Sequence, residues 1–187
     1  MLTFYHGYSL TGIISNITVS GEANMTPIGT LPTFEGNNAV QLFYLPSMTS
    51  GGSKTVTFNG NVFVSNINME IYEVYDTVVG AIALDGFNGA ADAVGSANPT
   101  MNIVTGSDHS LILGGITGNV SAPTAGAGYT LDDYSFWNFE MGQYKPDAGT
   151  AGTVTFNWTL ASSVWTMAAA GFKAASSSAV LWAQSIL

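Results

Sequence analysis

The sequence predicts an all-β protein, an antiparallel two-sheet sandwich of a jelly-roll-like kind with about ten short strands. Only 8% of its 187 residues are charged, and Thr, Ser and Asn dominate its polar residues. These side chains suit the wet face of a pleated sheet. Short alternating segments recur between Gly, Pro and Asn turns. A helical period over about 11 residues is missing everywhere except at the extreme C-terminus, where a helix stays an option.

The first half of the chain contains five such segments. Asn59-Gly60 is a dipeptide typical of hairpin turns and is predicted to end the fourth of them. The predicted strands are Met1–Tyr8, Ile13–Val19, Val40–Leu45, Lys54–Phe58 and Asn68–Val74.

The second half begins with Asp85–Pro99, whose Gly, Ala and Asn residues predict a long loop. Six further strands are predicted after it: Met101–Val104, Ser110–Ile116, Tyr129–Leu131, Trp137–Tyr144, Thr153–Leu160 and Val164–Phe172. In Thr153–Leu160 we expect Val154, Phe156 and Trp158 to face the core, with the Thr and Asn residues on the other face. The length fits one domain, residues 1–175, followed by an apolar tail, residues 176–187.

The charge composition excludes several partner classes. The chain has three Lys, no Arg and a net charge of −9. Nucleic acids and anionic membranes are therefore not expected partners, because binding to both depends on clustered cations. The chain has no Cys, which excludes disulfides and thiolate chemistry.

The first ten residues, MLTFYHGYSL, lack the basic, apolar and small-residue regions of a secretory signal. Two explanations stay open. Either a signal was removed, or the protein never passes through a translocon, as expected of a phage virion protein that leaves its host by lysis.

Several pieces of the sequence together resemble a known β-sandwich domain family. They are S-L-I-L-G-G (110–115), A-G-A-G-Y-T-L (125–131), the segment from Ala151 to Lys173, I-Y-E-V-Y-D (71–76) and, near the start, F-Y-H-G-Y, V-S-G-E-A-N-M-T-P-I-G and L-F-Y-L-P. The family is common in phage structural proteins and in bacterial surface or secreted proteins of unassigned role. The resemblance covers most of residues 1–174. It implies a sandwich fold and a structural setting, and it supplies no catalytic residues.

This chain departs from that family at both ends. Family members have one or two strands ahead of the position of Met1, and they end near Phe172–Ala174. The extra tail carries Leu181, Trp182, Ile186 and Leu187. An apolar tail of this kind should be docked, either on its own sandwich or on a neighbouring subunit as a strand or short helix, and we favour the neighbour.

The carboxylates do not form a convincing catalytic pair. Glu70 and Glu73 are three residues apart on one strand and therefore point to opposite faces. Asp132-Asp133 is typical of a turn. Asp108 and His109 are adjacent in a turn-like segment without a nucleophile elbow. We therefore expect no enzyme activity, no catalytic residues and no cofactor-binding residues.

Metal binding is a weak alternative. Asp85, Asn88 and Asp92 form an oxygen-rich stretch that could hold calcium, but its spacing is not that of an EF-hand. A solvated loop is the favoured interpretation, and no metal ligands are assigned.

A cluster of aromatic residues follows Asp133. We expect Tyr134, Phe136, Trp137 and Phe139 to divide between core and protein interface, with a sugar-binding platform as the alternative. With the tail residues, they are the predicted interface.

The sequence thus predicts a non-enzymatic virion protein, most specifically a capsid decoration protein that stabilises the shell by intersubunit contacts. Its expected partners are the major capsid protein, other virion subunits and further copies of itself. The alternative is a secreted or cell-surface adhesion module that binds carbohydrate.

Overall fold

The structure is a computed structural model, and it describes residues 2–8, 14–35, 38–49, 51–60, 67–76, 82–120, 122–132, 140–173 and 181–185. This part of the chain contains fifteen strands and no helix. The strands are β1 Leu2–Tyr8, β2 Ile14–Val19, β3 Thr26–Glu35, β4 Asn38–Tyr44, β5 Val56–Gly60, β6 Ile67–Asp76, β7 Ala83–Ser96, β8 Thr100–Thr105, β9 Leu111–Gly118, β10 Thr124–Ala125, β11 Thr130–Asp132, β12 Glu140–Lys145, β13 Gly152–Thr159, β14 Ser163–Lys173 and β15 Leu181–Ser185.

The strands form four sheets, which we number in the order in which they stack. Sheet I is β2-β5, sheet II is β15-β6-β1-β4-β3, sheet III is β11-β12-β9-β14-β7, and sheet IV is β10-β13-β8. Every strand pair is antiparallel. The all-β antiparallel sandwich predicted from the sequence is confirmed. The expected two sheets and about ten strands are too few for the described residues.

Three apolar cores separate the four sheets. The first joins sheet I to sheet II and includes Ile17 and Phe43. The second joins sheet II to sheet III and includes Leu42 and Phe172. The third joins sheet III to sheet IV and includes Met167. The central strands of the two middle sheets, β4, β9 and β14, are covered on both faces. These strands therefore have no solvent-facing side that would favour alternating polar residues.

This layering explains the continuous apolar runs in the sequence. In β14, Met167 and Ala169 face sheet IV, whereas Ala168 and Ala170 face sheet II. All eight residues of β9 are buried. Strands buried on both faces have this composition because no side chain meets water.

The prediction of a loop over residues 85–99 is wrong, because most of this segment lies in β7, the longest strand described. The small residues of β7 permit close approach to its neighbours. Gly86 has φ +144°, and a Cβ built on it would lie 2.2 Å from the carbonyl oxygen of Val104. The Gly/Ala composition that indicated a loop therefore serves close strand packing.

One other local prediction is wrong, and two strands go beyond what the sequence predicted. Asn59-Gly60 is part of β5, where Asn59 pairs with Asn16, and does not form a hairpin turn. β3, which the sequence analysis did not predict, contains Pro27 and Pro32 and lies at the edge of sheet II, where proline is tolerated. Residues 181–185, near the chain end where a helix was an option, form β15.

Candidate interaction surfaces

The predicted interface residues of the tail lie partly in β15. Leu181 pairs with Asp76 and Trp182 with Tyr75, so the strand runs antiparallel to β6 of the same chain. This is the placement on the chain's own sandwich, and the placement on a neighbouring subunit stays a prediction. Ile186 and Leu187 lie outside the described residues.

The predicted aromatic patch lies outside the described residues, in the segment between β11 and β12. Its members are Tyr134, Phe136, Trp137 and Phe139. Their assignment to core, interface or sugar platform stays a prediction.

A second surface, which the sequence analysis did not single out, is the outward face of sheet IV. Strand β8 alternates strictly between exposed and buried residues. Strand β13 follows the same alternation, with Val154, Phe156 and Trp158 buried against sheet III. This confirms the predicted register of β13. The residues between the buried ones point outward.

These outward residues form what we call the outer Thr/Asn face. Its members share small, uncharged side chains, and all are exposed except the half-buried Asn157. The face consists of Thr100, Asn102, Val104, Thr124, Thr153, Thr155, Asn157 and Thr159. A sequence pattern does indicate this face, because the outward positions of β8 and β13 are almost all Thr or Asn.

The strand register arranges the outer Thr/Asn face in rows. Thr153 pairs with Val104, and Thr155 pairs with Asn102. The Thr155 hydroxyl donates a hydrogen bond to Oδ1 of Asn102, at 3.3 Å. Val104 is 67% exposed although it is a large apolar residue. Residues two apart on a strand are about 7 Å apart, and neighbouring strands are about 4.8 Å apart. The result is a regular surface of hydroxyl, amide and methyl groups.

The candidate calcium residues do not converge. Asp85 accepts hydrogen bonds from the Ser110 hydroxyl at 2.6 Å and from the backbone N–H of Ser107 at 3.1 Å. It therefore anchors the turn between β8 and β9. Asp92, seven residues further along β7, accepts hydrogen bonds from the N–H groups of Val94 and Gly95. These bonds and one to Ser96, the largest contribution, lower the pKa of Asp92.

Asn88, the third candidate, donates a hydrogen bond through Nδ2 to the carbonyl oxygen of Asn102, at 2.8 Å. In the described part of the chain, no group of three or more His, Asp or Glu residues has the geometry to hold a metal ion.

The Asp108-His109 pair is divided between two contacts. Asp108 accepts a hydrogen bond from the N–H of Ala151, at 2.7 Å. His109 Nδ1 instead lies 3.1 Å from each carboxylate oxygen of Asp147. A hydrogen bond from the N–H of Gly149, and then the one to His109, lower the pKa of Asp147. Both contacts connect the turn before β9 to the segment before β13.

Glu70 and Asp132 meet the same tyrosine between sheets II and III. The Tyr72 hydroxyl donates a hydrogen bond to Glu70 Oε2, at 2.9 Å, and both residues are 0% exposed. Burial, followed by the nearby Glu70 and Asp132 carboxylates, raises the pKa of Tyr72. Because Glu70 is fully covered, no bulky substrate can reach its carboxylate. Glu73 is half-buried, and Asp133 lies outside the described residues.

Comparisons with protein-family models, curated proteins and solved structures found no match to the chain. The family resemblance of the sequence is therefore neither supported nor contradicted. Within the described residues, no helix is long and apolar enough to cross a membrane.

Proposed function

We propose that the protein is a non-enzymatic virion component, most specifically a decoration protein that binds the outside of a phage capsid. The observation that carries this proposal is the outer Thr/Asn face. Eight uncharged side chains lie together there in a chain whose net charge is −9. The cores of protein interfaces are depleted of charged residues in the same way.

The absence of charged side chains makes this face better suited to protein contact than the rest of an acidic surface. Two acidic proteins repel each other where carboxylates meet, and moving a charge out of water is costly. Moving the side chains of Thr, Asn and Val out of water costs much less free energy, and Thr and Asn can form hydrogen bonds with a partner. Binding to assembled shell but not to free subunits stabilises the shell by mass action.

The face alone is too small for a stable complex. The strands of sheet IV have six residues in β8, eight in β13 and two in β10. At about 3.3 Å per residue and about 4.8 Å between strands they cover roughly 250 Å². A standard interface buries about 800 Å² on each partner. Additional surface must therefore contribute, and the predicted aromatic residues and the tail are the candidates.

The proposal is tested by mixing the protein with shells assembled from the major capsid protein encoded in the same genome. The variant Thr155→Glu places a carboxylate at the centre of the outer Thr/Asn face. We expect it to weaken co-sedimentation with the shells at least about tenfold, since an interfacial charge without a partner is costly.

The matched control is Thr57→Glu, at an exposed position of β5 in sheet I, at the other end of the stack. It adds the same charge and should leave binding unchanged. Equal binding of wild type and Thr155→Glu would contradict this role of the face. A genome without any capsid gene would contradict the virion assignment.

The alternative is a secreted or cell-surface module that binds carbohydrate. The rows of hydroxyl and amide groups favour it, because such groups hydrogen-bond to sugars. Binding to a glycan array that is abolished by Thr155→Ala, without binding to capsid shells, would select this alternative.

A further inference from the structure

The side chain of Asn88 bridges the edges of two sheets. Among the described strands, β7 is at the edge of sheet III and β8 is at the edge of sheet IV. Asn88 Nδ2 donates a hydrogen bond to the Asn102 carbonyl oxygen on β8, at 2.8 Å. Its Oδ1 accepts one from the backbone N–H of Gly89, also at 2.8 Å. Because a donor faces Oδ1 and an acceptor faces Nδ2, only one orientation of the carboxamide satisfies both bonds.

The same geometry brings two reactive atoms together. Oδ1 lies 2.8 Å from the Gly89 nitrogen, so Cγ, one carbonyl bond away from Oδ1, is within about 4 Å of that nitrogen. Positioned groups react at separations of about 3–3.5 Å, so little further approach is required. Gly89 has no Cβ to obstruct this approach. Both residues are also exposed to water.

We propose that Asn88 is a site of spontaneous covalent modification, where the Gly89 nitrogen displaces ammonia and closes a succinimide ring. A bond forms between this nitrogen and Cγ, and the bond between Cγ and Nδ2 breaks. Nδ2 leaves as ammonia, together with the proton that the Gly89 nitrogen loses. Water then opens the ring at either carbonyl carbon and leaves aspartate or isoaspartate at position 88. Water is the only other reactant, and no oxidant or reductant is needed.

Two nearby asparagines, Asn98 and Asn102, serve as internal references. Asn98 precedes Pro99, which has no backbone N–H to lose. Asn102 precedes Ile103, whose branched side chain obstructs the ring closure and is fully buried. The reaction is therefore expected at Asn88 and not at these two positions.

Either product breaks the bridge between sheets III and IV. Neither has an amide N–H to donate, so a carboxylate replaces the donor beside the Asn102 carbonyl oxygen. Isoaspartate also lengthens the backbone of β7 by one atom within its ladder with β14. Sheet IV carries the outer Thr/Asn face, so this face loses a support as the protein ages. The inference holds whatever that face binds.

The modification is measured in the purified, folded protein. Samples are incubated at mildly alkaline pH, digested with pepsin in acid at intervals, and sequenced by mass spectrometry. Conversion of the amide to the acid should be at least about tenfold faster at Asn88 than at Asn102. An isoaspartyl methyltransferase should label the same fragment. The label is assigned by fragment, because Asn59-Gly60 is a second pair of this kind.

The control variant is Asn88→Gln, which keeps the carboxamide but would have to close a larger ring. Its fragment should stay unlabelled over the same period. Equal rates at Asn88 and Asn102, or a label that persists in the Asn88→Gln fragment, would overturn the proposal.

A second measurement tests the consequence for the fold. Asn88→Asp mimics one product and should lower the melting temperature by at least about 2 °C, because the hydrogen bond to β8 is lost. The matched control is Asn24→Asp, which adds the same charge at an exposed position between β2 and β3. It should leave the melting temperature within about 1 °C of wild type. Equal shifts would overturn the role of Asn88 as a bridge. Neither measurement uses a capsid, so a failure here leaves the capsid-binding test independent.

Discussion

Glu22 joins two loops near sheet I by accepting hydrogen bonds from Lys54 and Thr49. The Thr49 N–H and hydroxyl both lie 2.9 Å from Glu22 Oε2, and the Lys54 ammonium bonds to Oε1. Chiefly through Lys54, these contacts lower the pKa of Glu22 to about 2. The ionised carboxylate is thus the form that the folded state prefers.

This contact predicts a loss of stability in acid. A carboxylate with a lowered pKa stabilises the fold above its unfolded pKa of about 4.3, and that stabilisation disappears as the pH falls towards 2. The melting temperature of wild type should exceed that of Glu22→Gln at pH 6. The difference should shrink between about pH 4.3 and pH 2. A difference independent of pH would contradict this assignment.

Trp158 is the largest fully buried side chain described, and its role was predicted from alternation alone. Trp158→Ala should lower the free energy of unfolding by about 3–5 kcal/mol. Trp158→Phe should cost less, because it keeps the edge contact with Phe156 and removes an indole N–H that has no hydrogen-bond partner among the described residues. Chemical denaturation of the three proteins checks this order. A larger loss for Phe than for Ala would contradict it.

At the scale of single elements, β7 depends on glycine. Gly86→Ala places a methyl group against the Val104 carbonyl in a backbone conformation that alanine avoids. It should lower the free energy of unfolding by at least about 2 kcal/mol. The control Gly51→Ala lies between β4 and β5, where the added methyl has no atom within 4 Å apart from its chain neighbours. It should change stability by less than about 0.5 kcal/mol. Similar losses in both variants would show that β7 does not pack tightly on β8.

Alternation predicted β8 and β13 well, since each has one face in the core and one in water. It was less informative for β9 and β14, whose small and apolar residues face cores on both sides. Local composition cannot reveal that a strand will be covered twice, because that depends on partners far along the chain. The same long-range packing converts the Gly/Ala segment of β7 into a strand.

The interaction surfaces were predicted in part. The outward position of Thr155 and Asn157 follows from the sequence, but their rows with Asn102 and Thr100 depend on register. No local pattern specifies which strand lies beside which. For the tail, the sequence predicted docking but not the choice of β6 as its partner.

At the scale of the whole molecule, four stacked sheets enclose three cores, and β15 lies at the edge of sheet II, where it pairs with β6. Deleting residues 176–187 removes the five residue pairs between β15 and β6. The truncated protein should still fold, because the other described strands keep their partners, but its melting temperature should be lower. Thermal denaturation followed by circular dichroism measures both properties. A truncated protein that is unfolded, or one that melts at the wild-type temperature, would contradict this role of β15.

The sheet order also has a consequence for biosynthesis. β6 is complete at Asp76, but its partner β15 ends at Ser185, about 110 residues later. At the usual rate of translation, the ribosome needs about 5–20 s to make that stretch. During this interval, the β6 edge of each nascent chain lacks the strand that covers it. An unpaired strand edge is a template for pairing with another chain. The protein is therefore most exposed to aggregation while it is being made, before β15 is available to cover β6.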